Sequence, residues 1–198
     1  RTLGPLARLG QQWSTYHRYV LAAEARMFAH PALRAVICNS QMVADEIHRF
    51  YGVDRRKLVL IYNGVDHAHF HPGLAAQHRD ATRQAAGVPS DVPLLLYVGS
   101  GFERKGVPRL LAAMAGATTP FHLAVVGQDR KMRAMQALAE RLGISQRVHF
   151  TGPLKDVRPW YGAANAFVLP TLYDPGPNAA LKAMTCGLPT LTTTSCGA

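Results

Sequence analysis

Apolar residues follow two rhythms along the chain. Short runs of strand-forming residues stand at 35–39 (AVICN), 58–62 (LVLIY), 94–98 (LLLYV), 122–126 (HLAVV), 147–150 and 166–169. Between them, apolar residues recur every three or four positions, the spacing that gives a helix one buried stripe. Leu21, Ala25 and Phe28 or Ala29 predict one face of a long helix within residues 1–30, closed by His30-Pro31, because the residue before a proline resists the helical conformation. Ser40 is placed to cap a second helix with the stripe Val43, Ile47 and Phe50, ended by Gly52. Further helices are expected over 107–115, 130–142 (closed by Gly143) and 157–164. Strands alternating with helices predict an α/β fold with a parallel sheet and helical crossovers.

The rhythm lapses once. From His67 to Ser90 the chain is rich in His, Pro, Gly and Gln and shows no apolar period, which predicts a loop-like stretch and a domain boundary near residue 72. Residues 73–198 then restart the alternation as an open, doubly wound, Rossmann-like sheet. Such sheets bind ligands at the carboxyl ends of their strands.

Composition narrows this picture. An apolar fraction of 48% is enough for a packed core and excludes a disordered chain. No apolar run approaches the roughly 20 residues of a membrane-spanning helix. The formal net charge of +10 is spread, with 9 basic and 5 acidic residues in 1–72 and 13 and 7 in the remainder. Spread basicity suits nucleic acid, an anionic membrane surface or a phosphorylated substrate. The absence of an aromatic-interleaved basic patch or a reading motif speaks against nucleic acid. Cys38, Cys186 and Cys196 form neither a CxxC pair nor an even framework, as expected of reduced thiols in a cytosolic protein. His67, His69 and His71 would point one way from an extended backbone, but no fourth ligand is positioned, and no metal is assigned. The chain opens Arg-Thr-Leu-Gly without a Met and closes without a terminal helix, and is expected to be cut at both ends.

Two loops carry candidate chemistry. In PTLYDPGPNAALKAMTCG (170–187), Pro170 ends a strand, Asp174-Pro175-Gly176-Pro177 forces a tight loop, Asn178 is a candidate N-cap and Gly187 follows the helix. A helix N-terminus at a sheet edge suits a phosphate or a sugar hydroxyl, although a plain strand–helix connection reads the same way on composition. GSGFERKG (99–106) fails the dinucleotide fingerprint, whose third glycine falls on Arg104, and fails the triphosphate loop, because Lys105 precedes Gly106. Two glycines for close backbone approach and two cations, Arg104 and Lys105, remain. They suit a diphosphate neutralised without a metal; a solvated turn with surface charges is the other reading.

The ordered set YVGSGFERKG, AVVGQD, VHFTGPLKDV and LPTLYDPGPNAALKAMTCGLPT resembles the nucleotide-sugar domain of retaining family 4 glycosyltransferases of the GT-B fold (the glycosyl transferases group 1 domain), in particular bacterial lipopolysaccharide core glucosyltransferases. VICNSQMVADEIHRFYG followed by IYNGVDHAHFHPG resembles the end of the partner domain and its crossover. The resemblance implies that residues 1–72 are the C-terminal part of an acceptor-side Rossmann-like domain. It implies that 73–198 are a donor-binding domain incomplete at its C-terminus. Two glutamates separated by seven residues mark this family. The first, near the donor sugar and the reacting face, falls on Asp174, and the second, which grips the ribose hydroxyls, falls on Lys182. The cation of the leaving diphosphate falls on Lys105 with Arg104 beside it, on a loop with Gly99, Ser100 and Gly101. Backbone amides of Asn178 and Ala179 are expected to face the sugar or phosphate, and Gly152 to Leu154 to lie near the base.

Three positions depart from the family pattern. Asp174 keeps a carboxylate but is one methylene shorter. Gly176 stands where a Phe is usual, and Lys182 where a carboxylate would accept two hydrogen bonds from vicinal hydroxyls. An ammonium only donates, so a loss of a few kcal/mol in donor affinity, on the order expected for one charged hydrogen-bonded pair, is anticipated. The implied activity is transfer of a hexose, glucose from UDP-glucose, to a lipopolysaccharide core acceptor with retention. No metal or other cofactor is implied, and the location is cytoplasmic, peripheral on an anionic inner-membrane surface. Acceptor loops fall upstream of Arg1 in the family, so this chain alone is expected to turn over nothing. A non-catalytic nucleotide-sugar binding module is the alternative.

Overall fold

A computed structural model describes residues 15–198; any part of the first helix before Thr15 lies outside the described residues. The chain divides into two compact units that part at Tyr62/Asn63, ahead of the boundary expected near residue 72. Residues 63–72 join the second unit because Phe70 packs on its core, edge-on to the Tyr161 ring at 5.5 Å.

The first unit holds α1 (Thr15–Phe28), β1 (Val36–Cys38), α2 (Gln41–Tyr51) and β2 (Leu58–Leu60). β1 and β2 pair in parallel, Val36 opposite Leu58. Ser40 caps α2 as its sequence position suggests, its hydroxyl accepting from the Val43 amide at 3.3 Å, and Gly52 ends the helix at φ 67°. Two stripes differ from expectation. Leu21 and Ala25 are exposed, and α1 instead half-buries His17, Val20, Glu24 and Phe28. Specific contacts set this face: the Tyr51 hydroxyl donates to Glu24, and the Phe28 ring lies 4.6 Å from that of Tyr51. On α2, Phe50 is 66% exposed with the Arg49 guanidinium over its ring, and Ala44 takes the buried position.

The second unit contains α3 (Leu74–Ala85), β3 (Leu94–Val98), α4 (Val107–Ala115), β4 (His122–Val126), α5 (Met132–Arg141), β5 (Val148–Gly152), α6 (Arg158–Ala163), β6 (Ala166–Leu169), α7 (Asn178–Thr185) and β7 (Thr190–Thr192). Its sheet is wholly parallel in the order β5-β4-β3-β6-β7. β3 and β4 are buried through Leu94, Leu96, Tyr97, Leu123, Ala124 and Val125, all at 0% exposure, so they are apolar on both faces, as central parallel strands must be. The order runs outward from β3 to β5, then returns to β6 beside β3. The switch point therefore lies between β3 and β6, and the loops leaving these two strands face one crevice.

α3 was not legible as a helix. Its inner face is Leu74 and Arg83, 2% exposed each, and a buried arginine hides the apolar period. Arg83 donates to the carbonyls of Ala163 (3.1 Å), Pro89 (2.6 Å) and Val92 and to Asn165 Oδ1 (3.2 Å). α3 and α6 touch backbone to backbone: a Cβ on Gly162 would lie 2.3 Å from the Leu74 carbonyl oxygen. β7, a short threonine-rich strand, was also unforeseen; it pairs Thr190 with Phe167 of β6.

Candidate functional site at the sheet switch point

The loop after β3 is shaped by close backbone approach. Gly106 sits at φ 82°, and a Cβ there would meet the Pro170 carbonyl oxygen at 2.0 Å. Thus the loops of residues 99–106 and 170–177 are in backbone contact. Gly127, after β4, meets Gly99 in the same way: a Cβ would lie 2.2 Å from the Gly99 carbonyl oxygen. Both contacts require glycine, because neither a left-handed residue nor a carbonyl in the way tolerates a side chain cheaply.

Asp129 fixes the far side of the loop. Its carboxylate accepts from the amides of Gly101 (2.7 Å), Phe102 (3.0 Å) and Lys131 (2.8 Å). These amides, that of Lys131 foremost, hold the Asp129 carboxyl below the usual carboxylate range against the opposing effect of burial. Asp129 was not singled out from the sequence. The signal available was an Asp two residues past a glycine that ends a strand.

Lys105 and Asp174 come together. Lys105 Nζ is 3.0 Å from Asp174 Oδ2, and the side chains are 16% and 9% exposed. The approach is off the hydrogen-bonding direction, and Asp174 Oδ2 has no hydrogen-bond partner, so this is an ion contact with capacity left over. Asp174 is held from its backbone: its amide donates to Ser195 O at 3.1 Å, and it bridges to Cys196. Arg104 is exposed; its guanidinium donates to the Tyr173 carbonyl, while its own carbonyl accepts from Leu172 N at 2.8 Å. A cation, a carboxylate and glycine-shaped backbone thus share the crevice, with a cavity of about 580 Å³ beside them. Gly101, Glu103, Arg104, Asp129, Arg130 and Lys131 line it, and its size is that of a small-ligand site. Another cavity of about 460 Å³ lies between α5 and β5 with Glu140 as its single charged lining residue; it has no convergent cations.

The remaining expectations divide. Ser100 is exposed on the loop, Gly152 accepts from the Gly127 amide at 2.9 Å, and Leu154 is 38% exposed beyond β5. Asn178 does not cap α7. It is the first helical residue, Pro177 holds the cap position, and the Asn178 side chain accepts from Asn63 Nδ2 at 2.7 Å. Its amide is also engaged, donating to Gly176 O at 2.9 Å. That leaves Ala179 with the unengaged amide of the expected pair, among the described residues. The proline-bounded turn closes on itself here, which spacing alone does not reveal. Lys182 is not joined to the Lys105–Asp174 pair; its ammonium lies 4.7 Å from the centre of the Phe70 ring. The histidine run is not extended, because Asp66 O accepts from the amides of His69 and Phe70 and Asp66 Oδ2 pairs with His69 Nδ1 at 2.8 Å. Among the described residues, no three His, Cys, Asp or Glu side chains cluster as metal ligands, and no helix is long and apolar enough to cross a membrane.

Residues 92–198 match the family model described as Glycosyl transferases group 1, and residues 2–69 match that of Glycosyltransferase Family 4. The lipopolysaccharide glucosyltransferase WaaG of Escherichia coli K12 is 31% identical over 188 residues, covering 93% of this chain and 50% of that protein. A crystal structure of WaaG, a glycosyltransferase involved in lipopolysaccharide biosynthesis, superposes with a TM-score of 0.80 at 30% identity, covering 99% of this chain and 53% of that one. The Anabaena protein Alr3699/HepE, solved with UDP and glucose, shares the fold at 22% identity with a TM-score of 0.76, over 95% of this chain and 51% of that one. The chain spans about half the length of these relatives.

Proposed function

The chain belongs to the group 1 glycosyl transferases, and from that premise we propose that it forms the donor side of a retaining hexosyltransferase. In this reading the enzyme moves glucose from UDP-glucose to a saccharide acceptor of the lipopolysaccharide core. The observation that carries the proposal is the Lys105–Asp174 pair at the switch point of the sheet. A nucleotide sugar entering the crevice sets its diphosphate against Lys105 and Arg104 and its sugar hydroxyls against the unsatisfied Asp174 Oδ2. As the bond from the anomeric carbon to the diphosphate breaks, negative charge grows on the leaving phosphate. The Lys105 ammonium, already fixed and largely out of water, stabilises that charge without reorganising. Asp174 accepts from the sugar hydroxyls and orients the ring. These two roles need no metal ion. The basic surface suits a cytoplasmic enzyme working against an anionic inner membrane.

The proposal is tested by placing the acceptor-side half of the relative WaaG ahead of this chain, incubating the fusion with UDP-glucose and a lipopolysaccharide core acceptor, and following the anomeric proton of the product by NMR. An α-linked glucose supports it; free UDP without a new glycosidic bond, or a β-linked product, contradicts it. A second reading, a nucleotide-sugar binding module without catalysis, is favoured by Lys182 lying on Phe70 where the family pattern has a carboxylate. Lys182→Glu discriminates between the two. Transfer that appears only in the variant assigns the natural chain to the second reading.

A further inference from the structure

Beyond the crevice, Lys182 opens on a separate cavity of about 470 Å³. Asp66, His69, Phe70, Lys155, Asp156, Arg158 and Lys182 are among the residues that line it. The two carboxylates of this cavity each have a partner of their own. Asp156 takes two hydrogen bonds from the Arg158 side chain, both at 2.8 Å, and Asp66 pairs with His69 at 2.8 Å. The Arg158 guanidinium holds the Asp156 carboxyl at about 2, so that pair stays charged and internally neutral. Two ammonium groups remain without an ion-pair partner among the described residues. Lys155 is exposed, and half-buried Lys182 has only the Phe70 ring beneath it, 4.7 Å from its Nζ.

We propose that the Lys182 pocket is a phosphate-monoester subsite, in which Lys182, positioned on the Phe70 ring, and Lys155 bind a group carrying its own negative charge. The inference rests on the donor-site reading only for the neighbouring crevice, whose Lys105 serves as the independent control below. Lys182 lies one helical turn beyond Asn178, on the helix that follows the 170–177 loop. The ring fixes the ammonium and shields one side of it without neutralising it. Its protons on the side away from the ring remain available to an acceptor, and an ammonium only donates. A neutral diol gains little from such a group; a phosphate gains a charge-assisted hydrogen bond from each lysine. UDP-glucose itself carries no phosphate monoester, so the group belongs to a different ligand, with two chemical sources: a nucleotide phosphorylated on its ribose or a phosphorylated saccharide.

The experiment follows backbone amide shifts of the full chain during titration with inorganic phosphate, uridine 3′-monophosphate and glucose 6-phosphate. Lys182→Met, which keeps the stem on Phe70 and removes the charge, is the main variant, with Lys155→Met and Lys105→Met beside it; amide spectra verify folding of each. Phosphate is expected to shift residues 155–158 and 182, and its affinity to fall about tenfold in Lys182→Met, the worth of one charge-assisted bond. In Lys105→Met it is expected to hold within about twofold, as for an independent site. Tighter binding of the uridine phosphate identifies a ribose-phosphorylated nucleotide as the source, and tighter binding of glucose 6-phosphate the saccharide. Phosphate that shifts only residues 99–106, or an affinity indifferent to Lys182→Met, overturns the proposal and leaves the donor reading intact. Failure of the donor reading shows separately, as UDP binding indifferent to Lys105→Met.

Discussion

Gly106→Ala tests the physical contact that brings the two loops of the crevice together. Two costs combine at this position. Its φ of 82° places an L side chain in the left-handed region, at about 1–2 kcal/mol. The added Cβ would also stand 2.0 Å from the Pro170 carbonyl oxygen, well inside van der Waals contact. Backbone must move, at a further cost of about 1–3 kcal/mol on the scale of overpacked cores. The sum, about 2–5 kcal/mol, lowers Tm by about 4–20 °C for a chain of this size. Gly143→Ala is the matched control. Its φ is 69°, but nothing lies within 4 Å of its Cβ position, so the conformational cost stands alone. Urea and thermal unfolding of both variants read the difference, and UDP titration reads the site, where Gly106→Ala separates the loops and weakens binding about tenfold or more on the scale of a lost charge-assisted contact. Equal destabilisation by the two alanines, with UDP affinity unchanged, would falsify the close-approach reasoning.

Two further predictions concern the charges around the crevice. Lys105→Met, Asp174→Asn and the double variant are expected to show a coupling of about 1–3 kcal/mol in unfolding free energy, since each single change strands a largely buried partner; simple additivity would mean that the 3.0 Å contact has no energetic content. Asp129, depressed by the amides of Lys131, Phe102 and Gly101, contributes stability that is fully present above its unfolded value near 3.9 and lost as pH falls through its lower folded value. The urea midpoint of the natural chain therefore drops more steeply below about pH 4 than that of Asp129→Asn, and parallel pH profiles for the two would remove Asp129 from the account.

Much of the second unit was legible because its central strands are apolar on both faces and helices such as α4 and α5 are followed by glycines. β3, α4, β4 and β6 lie where the runs at 94–98, 107–115, 122–126 and 166–169 put them. Legibility failed where burial is achieved by polar groups. Arg83 turns an otherwise hidden face of α3 into a set of carbonyl hydrogen bonds, and Glu24 does the same for α1 through Tyr51. Phe28 and the exposed Phe50 show the same limit, since an apolar stripe does not say which neighbour will cover it. At the site, Lys105 and Asp174 were each marked by their own loop, but their contact depends on Gly106 meeting Pro170, a relation between residues far apart in sequence. Asp129 escaped notice because its work is done on backbone amides, which leave no residue pattern. Lys182 was recognised as a departure, while its seat on Phe70 needed the folding back of residues 63–72.

The central claim is that Lys105 and Asp174 form a donor-diphosphate site, and calorimetric titration of UDP and UDP-glucose into the full chain tests it most directly. Saturable binding is expected for both ligands. Lys105→Met should weaken UDP by about 10- to 100-fold, the range of one or two charge-assisted hydrogen bonds. Asp174→Asn should weaken UDP-glucose more than UDP, if its carboxylate addresses the sugar as proposed. No heat with either ligand at millimolar concentration from a chain folded by circular dichroism, or equal affinities in the natural chain and Lys105→Met, would contradict the account.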